Sequence, residues 1–368
     1  MRTIIHGVYY FAPVPSVIMS RLDFLFSGGK NMEFFGFTLF GSLTGGTLLA
    51  VAAVLFVIGL ALIIKGGDWF VDSAAWFAEA TGIPKFVVGA TVVSFATTLP
   101  ELLVSVRAAM NGSAQLAIGN AIGSVTANTT LIMGVSLVAI AGVISRKNFS
   151  LKGGLLLAAI VGLTMMSLSG SLPVWSAYVL WAIFIIFMIS NLIEGKKSAS
   201  AEKSDSYNKK DIPAKVLFFI IGTASIVFGA EFLVSSGKTI ASGIGISETI
   251  IGFTVIALGT SLPEFVTTLT AIRKKENSLS VGNIIGANII DATLILPLCA
   301  VINGTPLPVD RINLTFDFPV CILACAVAII PTIIQGRFKK WQGFALLAIY
   351  ALYMLLLVLN ETGAVVLG

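Results

Sequence analysis

Two short blocks of this sequence occur twice, each time inside a long apolar stretch, and both pairs are 163 residues apart. Ser94-Phe95-Ala96-Thr97-Thr98-Leu99-Pro100-Glu101 returns as Ala257-Leu258-Gly259-Thr260-Ser261-Leu262-Pro263-Glu264. Gly119-Asn120-Ala121-Ile122-Gly123-Ser124 returns as Gly282-Asn283-Ile284-Ile285-Gly286-Ala287. A constant offset in both blocks marks a duplicated unit, and each copy places a carboxylate in apolar surroundings. A charge near the middle of a bilayer costs roughly 2.5–3.5 kcal/mol on insertion scales, so such a residue has a function by default. Duplicated halves with Pro- and Gly-interrupted helices are how many secondary transporters are built.

Hydrophobic residues make up 57% of the 368 residues and charged ones 11%, which excludes an ordinary soluble domain. Runs near the required length of about 20 apolar residues recur along the chain. They predict an all-α polytopic membrane protein of ten transmembrane helices, at about 47–64, 84–110, 114–144, 152–170, 173–193, 214–236, 247–272, 278–303, 317–335 and 341–360. Five helices per half is an odd number, so the second half enters the membrane in the opposite sense and the repeats are inverted. The expected organisation is an external tail (1–46), a first five-helix repeat (47–193), a flexible linker (194–213) and a second repeat (214–368). The tail has no clean signal-peptide layout. It reads as an outer segment with interfacial character, or as an upstream extension if translation begins at Met32.

The net charge of +5 bears on topology rather than on nucleic acid, which is not an expected partner. Alternating through ten helices puts 17 basic residues on one side and 6 on the other, the six lysines from Lys196 to Lys215 among the former. The positive-inside rule makes the richer side cytoplasmic and leaves both termini external, as in a bacterial inner (plasma) membrane protein.

The motif helices carry the chemistry. Thr97 and Glu101 lie four apart and share a helix face, as do Ser124 and Asn128; their equivalents are Thr260 and Glu264, then Ala287 and Asp291. Pro100 removes a backbone donor and disturbs the ladder near Ala96. Two glutamates, an aspartate, an asparagine and hydroxyls form an all-oxygen donor set, which suits hard cations such as Ca²⁺. Soft-metal ligands are missing from the motifs: the one histidine is His6, and Cys299, Cys321 and Cys325 lie elsewhere. Arg107, six residues past Glu101, sits about 9 Å further along the axis, near the helix end where it can snorkel. The acids therefore lack an internal counter-charge, which favours a dissolved cation over a structural role. For Gly119, Gly123, Gly282 and Gly286 close helix packing is the favoured role. Asn120 and Asn283 stay open between ligand and interhelical hydrogen bond. Asp68 and Glu231, also 163 apart, read as solvated helix-end residues.

The twinned blocks, GTSLPE with GNIIGANIID and ATTLPE with GNAIGSVTAN, resemble the alpha-repeats of the cation/calcium exchanger superfamily, its sodium/calcium exchanger branch above all. The resemblance covers roughly residues 47–360. It implies two inverted five-helix halves, a diamond of cation sites at the midplane, and alternating access by sliding of the first and sixth helices. It further implies ligands at Thr97, Thr98, Glu101, Ser124 and Asn128, then Thr260, Ser261, Glu264 and Asp291, with backbone oxygens from Ser94 and Ala257. Thr98 stands where serine is usual, and Ala287 replaces the serine equivalent to Ser124, so one hydroxyl of a monovalent site is lost.

The expected function is Ca²⁺/Na⁺ antiport through one shared carboxylate site, with K⁺ or H⁺ as further candidate ions, the bilayer and inorganic cations as partners, and no cofactor. A Ca²⁺/H⁺ antiporter is the first alternative and a cation channel the second. An intramembrane protease would need a catalytic pair such as two aspartates, and Asp291 is the only one deep in a helix. No GxxxxGK[ST] loop is present, so an ion gradient rather than a nucleotide is the expected energy source, and no enzyme activity is expected.

Overall fold

The computed structural model describes residues 33–34, 37–38, 45–140, 146–201, 209–243, 259–361 and 364–367. The fold is all-α, a membrane protein of two inverted repeats; among the described residues eight helices are long and apolar enough to cross a membrane, nine if one bent pair is a single span. In chain order the helices are α1 (Gly45–Thr81), α2 (Lys85–Thr97), α3 (Leu99–Met110), α4 (Ala114–Ala139), α5 (Arg146–Ser167), α6 (Ser176–Ala201), α7 (Ile212–Gly243), α8 (Leu262–Arg273), α9 (Asn277–Asn303), α10 (Asn313–Gln335) and α11 (Lys340–Glu361). The second and seventh spans are each broken: α2 and α3 are two halves of one span bent by 48°. α8 is the latter half of the seventh, whose expected start at 247–258 lies outside the described residues, as does most of the expected N-terminal tail.

Several boundaries differ from expectation. α1 continues to Thr81 rather than stopping near residue 64, and α7 reaches Gly243 rather than 236. At 37 residues α1 is roughly 55 Å long, far more than a hydrocarbon core of about 30 Å. Hydropathy marks where a helix leaves lipid, whereas a helix ends only where its backbone is turned; Gly82, at φ +68°, does that here. α6 likewise runs through 194–201, the start of the expected linker, because Glu, Lys, Ala and Ser continue a helix readily.

Inversion is visible directly in the packing of α1 on α7. A Cβ built on Gly59 would lie 2.8 Å from the carbonyl oxygen of Gly229, and one on Gly66 would lie 3.0 Å from that of Gly222. Higher numbers on one helix meet lower numbers on the other, so the two are antiparallel. Gly222 and Gly229 are themselves the 163-residue equivalents of Gly59 and Gly66, which makes the seam self-complementary, as a two-fold relation requires. α2 and α9 pack as closely but run parallel, since numbers rise together along the contact: Cβ atoms on Gly282 and Gly286 would come within 2.2 Å of the Phe86 oxygen and 2.6 Å of the Ala90 oxygen. The packing role expected of the motif glycines therefore holds for these two. Among the described residues a Cβ on Gly119 or Gly123 meets nothing within 4 Å.

Loops at alternate ends of the helices cluster on opposite faces. On one face Lys85 pairs with Glu79 (2.7 Å) and Glu276 (2.8 Å), Lys274 pairs with Asp72 (2.7 Å), and Arg273 pairs with Asp68. On that face too, the buried ammonium of Lys152 meets Glu194 at 2.8 Å and lies 4.6 Å from the centre of the Phe86 ring. On the other face β3 (Ser171–Leu172) pairs antiparallel with β4 (Leu307–Pro308). β1 (Glu33–Phe34) and β2 (Phe37–Thr38) form a further two-residue pair before α1. The buried core is built mainly from α4, α5, α9 and α10, whereas α1 and α7 turn most of their apolar surface outward, as lipid-facing helices do.

Candidate cation site

Helix breaks create the site. Thr98 (φ −85°, ψ 5°) and Ser261 (φ −83°, ψ 5°), 163 residues apart, interrupt the second and seventh spans in the same way. Each is followed by a proline in the first turn of the next helix, where its missing N–H and fixed φ are tolerated, and then by Glu101 or Glu264. Both glutamates are fully buried. On the facing helices, Asn128 and Asp291 each open a π-helical turn, Asn128–Ile132 in α4 and Asp291–Ile295 in α9. Such insertions recur at functional sites because the extra residue re-aims side chains and loosens the carbonyl ladder. The paired π turns have no signal in the sequence.

The residues expected to supply ligands are buried at these breaks. Ser94, Thr97, Thr98, Glu101, Ser124, Asn128, Ser261, Glu264 and Asp291 all expose 2% or less, and Thr260 is half-buried. Ala257 lies outside the described residues. Both carboxylate oxygens of Glu101 and of Asp291 have no hydrogen-bond partner within the described chain, nor do Glu264 Oε2, both side-chain polar atoms of Asn128, or the hydroxyls of Ser124 and Ser261. Orphaned buried oxygens cost free energy, and here they concentrate on the motif residues, an arrangement that suits cation ligands.

Other motif oxygens are already engaged. The Thr98 hydroxyl lies 2.6 Å from the Ser94 carbonyl oxygen and 3.2 Å from Glu264 Oε1, so it links the first break to the second repeat's carboxylate. The Ser94 oxygen also accepts the Thr98 N–H at 2.9 Å, and in this conformation it serves its own helix. Thr97 Oγ1 stands 3.2 Å from Asn283 Oδ1, and Thr260 Oγ1 stands 3.3 Å from Asn120 Oδ1. These two contacts are equivalents under the 163-residue offset and cross between the repeats in both directions. Asn120 Nδ2 further reaches Ser105 Oγ (2.9 Å) and the Glu101 carbonyl oxygen (3.3 Å).

Among the described residues no three His, Cys, Asp or Glu side chains lie close enough to hold one metal ion. A cation here would complete its shell with hydroxyl, amide or main-chain oxygens beside one or two carboxylates. Hard cations accept that mixture.

Sequence reasoning passed over a second buried polar group beside the motifs. Asn288 Nδ2 donates to Thr129 Oγ1 at 2.9 Å, and Thr129 lies 3.9 Å from the Cys325 sulfur. The repeat comparison hides this pair, since the equivalents of Asn288 and Thr129 are Val125 and Ala292. Polar residues in an apolar helix were the available signal. Asp68 and Glu231 are not the helix-end residues expected: α1 runs on to Thr81 and α7 to Gly243, so both lie within their helices, and Asp68 is tied to Arg273.

Residues 51–193 and 214–359 match the family described as sodium/calcium exchanger protein. The chain is 32% identical to an uncharacterized membrane protein of Methanocaldococcus jannaschii, over 82% of this chain and 97% of that one. It is 29% identical to the sodium/calcium exchanger MaX1 of Methanosarcina acetivorans, over 84% and 99%. Among solved structures, that of the sodium-calcium exchanger NCX_Mj soaked with Na⁺ and Sr²⁺ superposes with a TM-score of 0.73 at 29% identity, covering 83% of this chain and 97% of that one.

Proposed function

Because this chain belongs to the sodium/calcium exchanger protein family, an integral membrane family of cation exchangers, we propose that it exchanges Ca²⁺ for Na⁺ through one shared oxygen site between its two repeats. The observation that carries the reading is the twinned helix break, Thr98 before Glu101 and Ser261 before Glu264, with buried carboxylate oxygens, both of Glu101 and Oε2 of Glu264, that no donor among the described residues satisfies.

The chemistry follows from charge. With Glu101, Glu264 and Asp291 ionised, the site carries three negative charges in surroundings that strongly disfavour net charge. Ca²⁺ neutralises two of them, and several Na⁺ do the same. A nearly neutral site can be closed off and carried to the other face, whereas the empty charged site resists this. One ion must therefore replace the other before the protein turns over, and the Na⁺ gradient drives Ca²⁺ transport. The glycine seam between α1 and α7 supports movement of that pair as a unit, since backbone-to-backbone packing leaves no side chains to disentangle. The charge asymmetry favours a cytoplasmic linker and external termini in an inner (plasma) membrane.

Purified protein in liposomes tests this directly. Uptake of radiolabelled Ca²⁺ should follow an imposed Na⁺ gradient and stop when it is collapsed. Uptake that ignores Na⁺ and follows a pH gradient would replace this reading with Ca²⁺/H⁺ antiport, and downhill flux independent of any counter-ion would point to a channel.

A further inference from the structure

We propose that Asn120 and Asn283 are positioning residues: each takes the hydroxyl proton of the threonine in the opposite repeat, Thr260 and Thr97, so that both threonine oxygens turn only lone pairs toward the cation. The inference rests on the reading of the site as a cation site.

A hydroxyl has one proton and two lone pairs, and as a cation ligand it must point its proton elsewhere. The surroundings of Asn120 decide where. Its amide nitrogen lies 3.3 Å from the Glu101 carbonyl oxygen, which can only accept, so Oδ1 must be the atom facing Thr260 at 3.3 Å. Thr260 is then the donor. The same amide holds Ser105 at 2.9 Å, so one residue ties the main chain of a carboxylate in the first repeat to a hydroxyl of the second. In the mirror-related contact Thr97 Oγ1 lies 3.2 Å from Asn283 Oδ1. Of the competing acceptors, the Ser94 carbonyl is further away at 3.4 Å and already holds the Thr98 hydroxyl, and the Glu264 carboxylate is taken by the cation when the site is filled. Asn283 is fully buried, its Nδ2 has no partner among the described residues, and its amide is oriented by equivalence to Asn120. Gly282 brings it within reach, because the helices there approach until a Cβ would lie 2.2 Å from the Phe86 oxygen. Partners of this kind fix the orientation of a metal ligand without touching the metal, and losing one weakens binding measurably.

Double-mutant cycles on purified full-length protein test the pairing, reading half-saturation by Ca²⁺ in the thermal shift it induces and in Na⁺-driven flux. Asn120→Leu should raise the half-saturating Ca²⁺ concentration about fivefold, the worth of one ordinary hydrogen bond. Adding Asn120→Leu to Thr260→Val should weaken binding by less than the product of the two single effects, since the hydroxyl it orients is gone and only its Glu101 and Ser105 contacts remain to be lost. Adding it to Thr97→Val should multiply the two effects. The second pair, Asn283→Leu with Thr97→Val, should behave in the same way and decides the matter if Asn120→Leu does not fold. Effects that multiply within a pair, or an unchanged Ca²⁺ response in the asparagine variants, overturn the proposal while leaving the site intact. A wild-type protein with no Ca²⁺ response in either measurement overturns the site reading and this inference together.

Discussion

Gly59 and Gly229 lie against each other so closely that a Cβ on either would stand 2.8 Å from the other's carbonyl oxygen. Neither carbonyl can yield without bending its helix. Elsewhere Gly→Ala in a helix gains up to about 1 kcal/mol from propensity alone. Here overpacking, typically 1–3 kcal/mol, should win. Gly229→Ala is expected to lower the melting temperature and slow exchange, whereas Gly162→Ala, which meets nothing within 4 Å among the described residues, should be neutral or stabilising. Equal behaviour of the two variants in a detergent melt would show that the seam is not tight.

Glu101→Gln or Glu264→Gln should abolish Na⁺-driven Ca²⁺ flux while leaving the protein folded. The amide is nearly isosteric but removes a charge from a buried group proposed to neutralise the ion. Robust flux in either variant would remove these residues from the site.

Asp291 and Asn128 open equivalent π turns, and Asp291 is the one charge that breaks the pseudo-symmetry. Asp291→Asn would make the repeats alike and lower the site's charge from three to two. Ca²⁺ is still matched by two glutamates, so its binding should weaken less than in the glutamate variants. The number of Na⁺ needed for neutrality falls, and with it the Hill coefficient for Na⁺. An unchanged coefficient together with normal Ca²⁺ affinity would take Asp291 out of the shared charge count.

Lys275 adopts φ +62° at the turn where its equivalent in the first repeat is Gly112, at φ +74°. A side chain in the left-handed region costs about 1–2 kcal/mol, partly offset by glycine's greater unfolded freedom. Lys275→Gly should therefore stabilise by about 0.5–1 kcal/mol, and Gly112→Ala should destabilise to a similar extent. A thermal melt in detergent checks both, and a lower midpoint for Lys275→Gly would contradict the strain.

A reporter at Ser204 should be cytoplasmic and one after Gly368 external, on the strength of the 17-to-6 division of basic residues. Activity of both on one side would mean an even number of crossings between them and would end the inverted-repeat account.

The duplicated Pro-Glu and Gly-Asn blocks by themselves determined the two halves, the interrupted helices and the residues that carry the carboxylates. Those signals are local: a proline next to an acid in an apolar run breaks a helix wherever it lies, and an odd number of spans per repeat inverts the second half. Tertiary structure alone decided how the halves interlock. The Thr97–Asn283 and Thr260–Asn120 contacts join residues 186 and 140 apart, and nothing near either residue specifies the partner. The same is true of the Gly59–Gly229 seam. The length of α1 also escaped hydropathy, which measures preference for lipid and not continuity of backbone hydrogen bonds. Such features arise when two inverted copies pack against one another, because a two-fold relation matches each surface to its own equivalent rather than to any neighbour in sequence.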